Sequence, residues 1–135
     1  MTREQLYADL ERDEGLRLMP YTDTVGKLTI GVGRNLSDNG IGHAEALMLL
    51  KNDVAGVEAD LDRALPWWRE LTPEQQRGLA NMCFNLGITR LLKFEKMLAA
   101  LHRHDGQTAA VEALDSTWAK QVGARAGRIS KLFIG

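Results

Sequence analysis

Residues 14–34, EGLRLMPYTDTVGKLTIGVGR, constrain the fold of this chain more than any other stretch. The flanking segments follow a helical period. Within this stretch the pattern changes to short alternating runs broken by turn residues, which is a strand signal. Asp23-Thr24-Val25-Gly26 predicts a tight turn between strands over 18–21 and 27–32. Gly31 and Gly33 alternate with Ile30 and Val32. One strand face therefore lacks side chains, as happens where a ligand or another backbone comes close. A small antiparallel sheet set among helices makes the expected class α+β, mainly helical.

The helices can be placed from their caps and apolar stripes. Residues 2–13 form the first, with Thr2 and Gln5 as a capping box and Gly15 as the stop. Leu6, Leu10 and Glu14 recur at i, i+4 and i+8, which puts Glu14 on the apolar face. Asn39-Gly40 marks a turn. A long helix over 42–64 carries Leu47, Leu50, Val54, Val57 and Leu61 in one stripe, and Gly56 within it costs about 1 kcal/mol relative to Ala. Pro66-Trp67-Trp68 ends it. Thr72-Pro73-Glu74-Gln75 starts a helix that runs to Leu86 and stops at Gly87, with Leu79, Met82, Cys83 and Leu86 facing inward. Shorter helices are expected over 91–102, 106–114 and 124–133.

Length and composition narrow the function classes. A chain of 135 residues can bury a real core in one domain. A net charge of −1 gives no general attraction to nucleic acid. The single cysteine excludes an internal disulfide, and Cys83 falls on an apolar helix face as a small buried hydrophobe. No apolar run is long enough to span a bilayer, and the charged N-terminus is not that of a signal peptide. Neither membrane insertion nor unaided export is expected. His43, His102 and His104 lack the spacing and partners of a metal site, so neither metal nor cofactor is expected. Trp67 and Trp68 are expected to plug a junction between lobes.

Glu14 at the end of a helix suits a general acid that protonates a leaving oxygen. Asp23 in a solvated turn suits a general base. Thr29 has a hydroxyl that can hold a water against Asp23. Acid, base and water-orienting hydroxyl together describe an inverting glycosidase. The plain alternative is a frayed helix end, an ordinary turn former and an ordinary strand residue. On the residues alone the plain reading is favoured, since such residues are common.

Glu14-x8-Asp23-x5-Thr29, set in DEGLRL, YTDT and TIGVG, resembles the signature of the phage-type lysozymes, the endolysins of glycoside hydrolase family 24. GHAEALMLLKNDV resembles that family's long connecting helix, and GLANMCFNLG its central buried helix. Trp118 with Arg125, Ala126 and Arg128 resembles its C-terminal stretch. The resemblance implies a bilobal lysozyme-like fold: a sheet lobe over 14–42, a connecting helix over 42–64, and a helical lobe over 65–135 joined by helix 2–13. It implies Glu14 as acid, Asp23 as the carboxylate that activates water, Thr29 as water positioner, and Arg125 against Glu14. Phe84, Asn85 and Trp118 would line the cleft, though Phe84 and Trp118 suit core positions as well. The implied substrate is peptidoglycan, cut by a monomer at the β-1,4 bond between N-acetylmuramic acid and N-acetylglucosamine. The implied setting is phage lysis, with the enzyme held in the host cytoplasm until a holin-like pore releases it.

Three departures and two rivals accompany the resemblance. The strand region is short between Arg34 and Gly42, so a smaller sheet lobe is expected. Arg34 stands where the family often has His, so a pair between Arg34 and Asp53 is expected, without a pH switch near neutrality. Many family members are basic and this chain is not, which would leave wall affinity to patches such as Arg125, Arg128 and Lys131. A lytic transglycosylase would need the acid but not the Asp23–Thr29 pair. A non-catalytic wall-binding module would need none of the three.

Overall fold

Helix and sheet segregate along the chain as the change of period predicts. The computed structural model describes all 135 residues and divides into two compact units, Met1–Met48 and Leu49–Gly135.

In the first unit, α1 spans Arg3–Glu14. Thr2 Oγ1 accepts from Gln5 N at 3.2 Å and Gln5 Oε1 accepts from Thr2 N at 3.2 Å, completing the capping box. Gly15, at φ 79°, ends the helix. No residue of α1 is buried, and Leu6 and Leu10 remain 37% and 41% exposed. Three antiparallel strands follow in the order β1-β2-β3: β1 Arg17–Thr22, β2 Leu28–Gly31 and β3 Arg34–Asn35. Tyr21 faces Thr29 and Thr22 faces Leu28, but the register shifts between Arg17 and Tyr21. Pro20 lies in that shifted segment of the edge strand, where a residue without an N–H is tolerated. A four-residue helix, α2 (Leu36–Asn39), was not expected from the sequence. Asn35 caps it by accepting from Asp38 N at 3.0 Å. It is tied to the hairpin by Leu28 N donating to Ser37 Oγ at 2.8 Å and by Lys27 Nζ to Asp38 at 3.0 Å.

Helix α3, His43–Ala64, begins in the first unit and continues into the second. A 3-10 helix over Pro66–Glu70 follows, then α4 (Pro73–Leu86), α5 (Ile88–Leu91), α6 (Glu95–His102), α7 (Gly106–Leu114), α8 (Thr117–Val122) and α9 (Ala124–Ile134). The Thr72–Gln75 capping box and the stop at Gly87 are present as predicted. The expected 91–102 helix is interrupted: Leu91–Phe94 close a separate turn, and α6 starts at Glu95. The core of this unit includes Leu61, Leu79, Met82, Cys83, Leu91, Met97, Leu101, Ile129 and Phe133, each at most 2% exposed. Full burial of a Leu, Met or Phe side chain contributes about 1.5–3 kcal/mol. Trp68 is buried and Trp67 half-buried. The indole Nε1 of Trp68 donates to Asp62 at 2.7 Å and Arg69 bonds the same carboxylate at 2.9 Å, which fastens the 3-10 helix to α3. Those bonds, Arg69's first and then Trp68's, hold the Asp62 carboxyl below its ordinary range. No helix is long and apolar enough to cross a membrane.

Candidate active site

The backbone of Lys27, just before β2, holds two of the candidate residues. Its N–H donates to Asp23 Oδ1 at 2.8 Å, and Val25 N donates to the same oxygen at 2.9 Å. Its carbonyl accepts from Asp23 N at 2.8 Å and from the Thr29 hydroxyl at 3.0 Å. Gly26, at φ 85°, allows the turn to close. Asp23 therefore commits one carboxylate oxygen to the turn, while Oδ2 carries no bond within the unit. Thr29 is only 4% exposed, and its hydroxyl proton is spoken for, so its lone pairs remain to accept. Lys27 is the member of this group that the residue pattern could not reveal, because it acts through its peptide groups.

Glu14, the last residue of α1, is exposed instead of continuing a buried face, because α1 buries no side chain. Its carboxyl lies against Gly33, in the turn between β2 and β3, and makes no hydrogen bond within the unit. The three candidates are thus arranged along β2: Asp23 before its start, Thr29 within it, and Glu14 at the turn beyond its end.

Arg34 has its partners within its own unit. Its Nη1 donates to Glu45 Oε1 at 2.8 Å and to the Gly40 carbonyl at 3.2 Å. Helix α2 and the Gly40 turn return the chain so that the first turn of α3 meets β3. The Arg34 bond, and next the Gly42 N–H, hold the Glu45 carboxyl below its ordinary range, and Glu45 raises Arg34 above its own. A depressed carboxyl contributes stability above its unfolded pKa and loses it as pH falls through the folded one. Glu45→Gln is therefore expected to lower the melting temperature at neutral pH, with the gap closing in acid. Parallel melts at pH 7 and pH 3 check this, and a gap that persists at pH 3 would contradict it.

In the second unit, Arg125 on α9 donates from Nε to Asn81 Oδ1 on α4 at 2.9 Å. Phe84, 45% exposed, joins Leu50, Val54, Ala80 and Arg125 around a cavity of about 540 Å³. Asn85 and Trp118 form a separate pair: the indole Nε1 donates to Asn85 Oδ1 at 2.8 Å. Trp118 is buried, with Phe94 edge-on at 6.2 Å, so core packing describes it. His43, His102 and His104 are exposed, and His102 stacks on Trp67 with ring centres 4.5 Å apart. Cys83 is buried, and that burial, followed by the charge of Asp60, pushes its thiol up. No three His, Cys, Asp or Glu side chains cluster closely enough to hold a metal.

Known proteins share this chain's sequence over most of its length. It is 31% identical to the pre-baseplate central spike protein Gp5 of Enterobacteria phage T4, over 93% of this chain and 27% of that protein. It is 27% identical to the probable T4-type lysozyme 2 of Dictyostelium discoideum, over 92% of this chain and 90% of that one. It is 38% identical to the SAR-endolysin of Escherichia phage Mu, over 69% of this chain and 53% of the endolysin. The chain therefore spans little more than half of the endolysin and far less of the spike protein. The phage lysozyme family model matches residues 11–131, a span that contains Glu14, Asp23, Thr29 and every other candidate residue. This chain belongs to the phage lysozyme family.

Proposed function

We propose that this chain is a peptidoglycan hydrolase that cuts the β-1,4 bond between N-acetylmuramic acid and N-acetylglucosamine with inversion. One observation carries the reading: the backbone of one residue, Lys27, holds both Asp23 and Thr29 and leaves each with a free acceptor. A water between them would donate one hydrogen to Asp23 Oδ2 and the other to Thr29 Oγ1, leaving a lone pair to attack. As the water oxygen bonds to the anomeric carbon, Asp23 takes its proton. Glu14 gives its own proton to the departing sugar oxygen, and the glycosidic C–O bond breaks. The products are a reducing sugar and a free hydroxyl, and solvent restores both carboxyls. Every step uses side chains alone. On this reading the Glu14 and Asp23 carboxyls stand roughly 6.5–9.5 Å apart, leaving room for the water. Phe84 and Arg125, which share an open cavity, are the second unit's candidates for binding substrate. The family relationship supports a role of the monomer in wall lysis during phage release.

Mass spectrometry of the fragments released from purified peptidoglycan tests the proposal. Reducing N-acetylmuramic acid ends, carrying 18O when the digest is run in labelled water, are expected. Ends bearing 1,6-anhydro sugars would show a transglycosylase and overturn it.

A further inference from the structure

We propose that Gly33 is a positioning residue for the general acid, and that its missing side chain is what lets the Glu14 carboxyl take its place. The inference rests on the reading of Glu14 as the acid. A Cβ at Gly33 would fall 2.9 Å from Glu14 Oε2, 3.1 Å from Cδ and 3.2 Å from Cγ. The outer half of the glutamate side chain thus lies across the Gly33 backbone. No hydrogen bond or ion pair within the unit holds that carboxyl, so within the unit this close fit constrains where it sits.

Gly31 supplies the comparison. It shares the left-handed conformation, φ +68° against +67° at Gly33, yet a Cβ there would have nothing within 4 Å. Glycine is required at 31 for conformation alone, and at 33 for conformation and space. Alanine at either position brings the same backbone strain. At 33 it also collides with the flexible end of Glu14, which can swing aside at little energetic expense. To regain ordinary contact at 3.4 Å the carboxyl oxygen must move by at least 0.5 Å. The damage therefore appears in the position of the acid, not in the stability of the fold.

The test compares Gly33→Ala with Gly31→Ala in the full chain. Both should lose similar thermal stability. Gly33→Ala should lower kcat on purified peptidoglycan by roughly 100-fold, the scale for displacing a catalytic group by about 1 Å, with KM kept. Gly31→Ala should keep a kcat near the parent's. Equal losses of kcat in the two variants, or a full kcat in Gly33→Ala, would overturn the proposal. So would unfolding of Gly33→Ala alone, because the contact would then be structural. The 13C resonance of the Glu14 carboxyl, assigned by its disappearance in Glu14→Gln, gives a readout independent of turnover. It should move in Gly33→Ala and stay in Gly31→Ala; an unmoved resonance in Gly33→Ala overturns the seat. A parent chain without hydrolase activity would instead refute the proposed function and leave this measurement standing.

Discussion

Glu14→Gln is expected to lower kcat on peptidoglycan by at least about 100-fold while leaving the melting curve where it was. The amide matches the carboxyl in size and has no proton to give the leaving sugar. Stability should hold because Glu14 is exposed and makes no hydrogen bond or ion pair within its unit. A structural residue would behave the opposite way, losing melting temperature before activity. Asp23 gives the informative contrast, since its Oδ1 accepts two backbone N–H groups that close the turn. Asp23→Asn keeps one oxygen for those bonds and removes the base, so it should fold and fail to turn over. Asp23→Ala removes the turn's anchor as well, and should lose stability along with activity. Turnover and thermal denaturation of the three variants decide the matter, and Glu14→Gln with parental turnover would end the acid assignment.

The two capping boxes show what local sequence can specify. Thr2–Gln5 and Thr72–Gln75 each contain all the atoms they need within four residues, so α1 and α4 begin where the sequence places them. The elements the pattern misses are β3, α2, the 3-10 helix, α5 and α8, which are two to six residues long and too short to show a period. Helix α2 exists because Asn35 turns its side chain onto Asp38 N, a choice that Asn also makes in turns with no helix behind them. The same short helix brings Glu45 to Arg34, a pair that only the three-dimensional path reveals. The site divides similarly. Glu14, Asp23 and Thr29 are candidates that residue type and spacing suggest and that the family resemblance singles out. The role of Lys27 is not legible there, because any residue but proline supplies the same N–H and carbonyl. Gly31 and Gly33 look alike in TIGVG, and only the position of the Glu14 side chain tells them apart.

Gly106→Ala should destabilise the chain by about 3 kcal/mol, lowering the melting temperature by roughly 10 °C. The sequence alone argues for the opposite sign. Gly106 is the first residue of α7, behind an Asp105 side chain that caps the helix by accepting from Thr108 N at 3.1 Å. Its φ is not left-handed. At such a position Ala ordinarily stabilises by about 0.4–1 kcal/mol, through a less flexible unfolded chain. Packing reverses this. A Cβ on Gly106 would overlap the carbonyl oxygen of Phe133 and stand 3.1 Å from Gln75 Nε2. The oxygen belongs to the backbone of α9, so it cannot swing away as a carboxylate can. Relief requires α7 and α9 to separate, and Phe133, fully buried, is the largest side chain in the core they share. Separation also strains the bond from Gln75 Nε2 to the Phe133 carbonyl, 2.9 Å long and buried, whose loss leaves two polar groups unpaired. Because Gly106 and Gln75 act on one carbonyl, Gln75→Ala and Gly106→Ala should combine to less than the sum of their separate effects. Urea melts of the two single variants and the double variant measure both sign and coupling. A stabilised Gly106→Ala would mean that helix propensity outweighs the contact, and that α7 can move off α9 at little energetic expense.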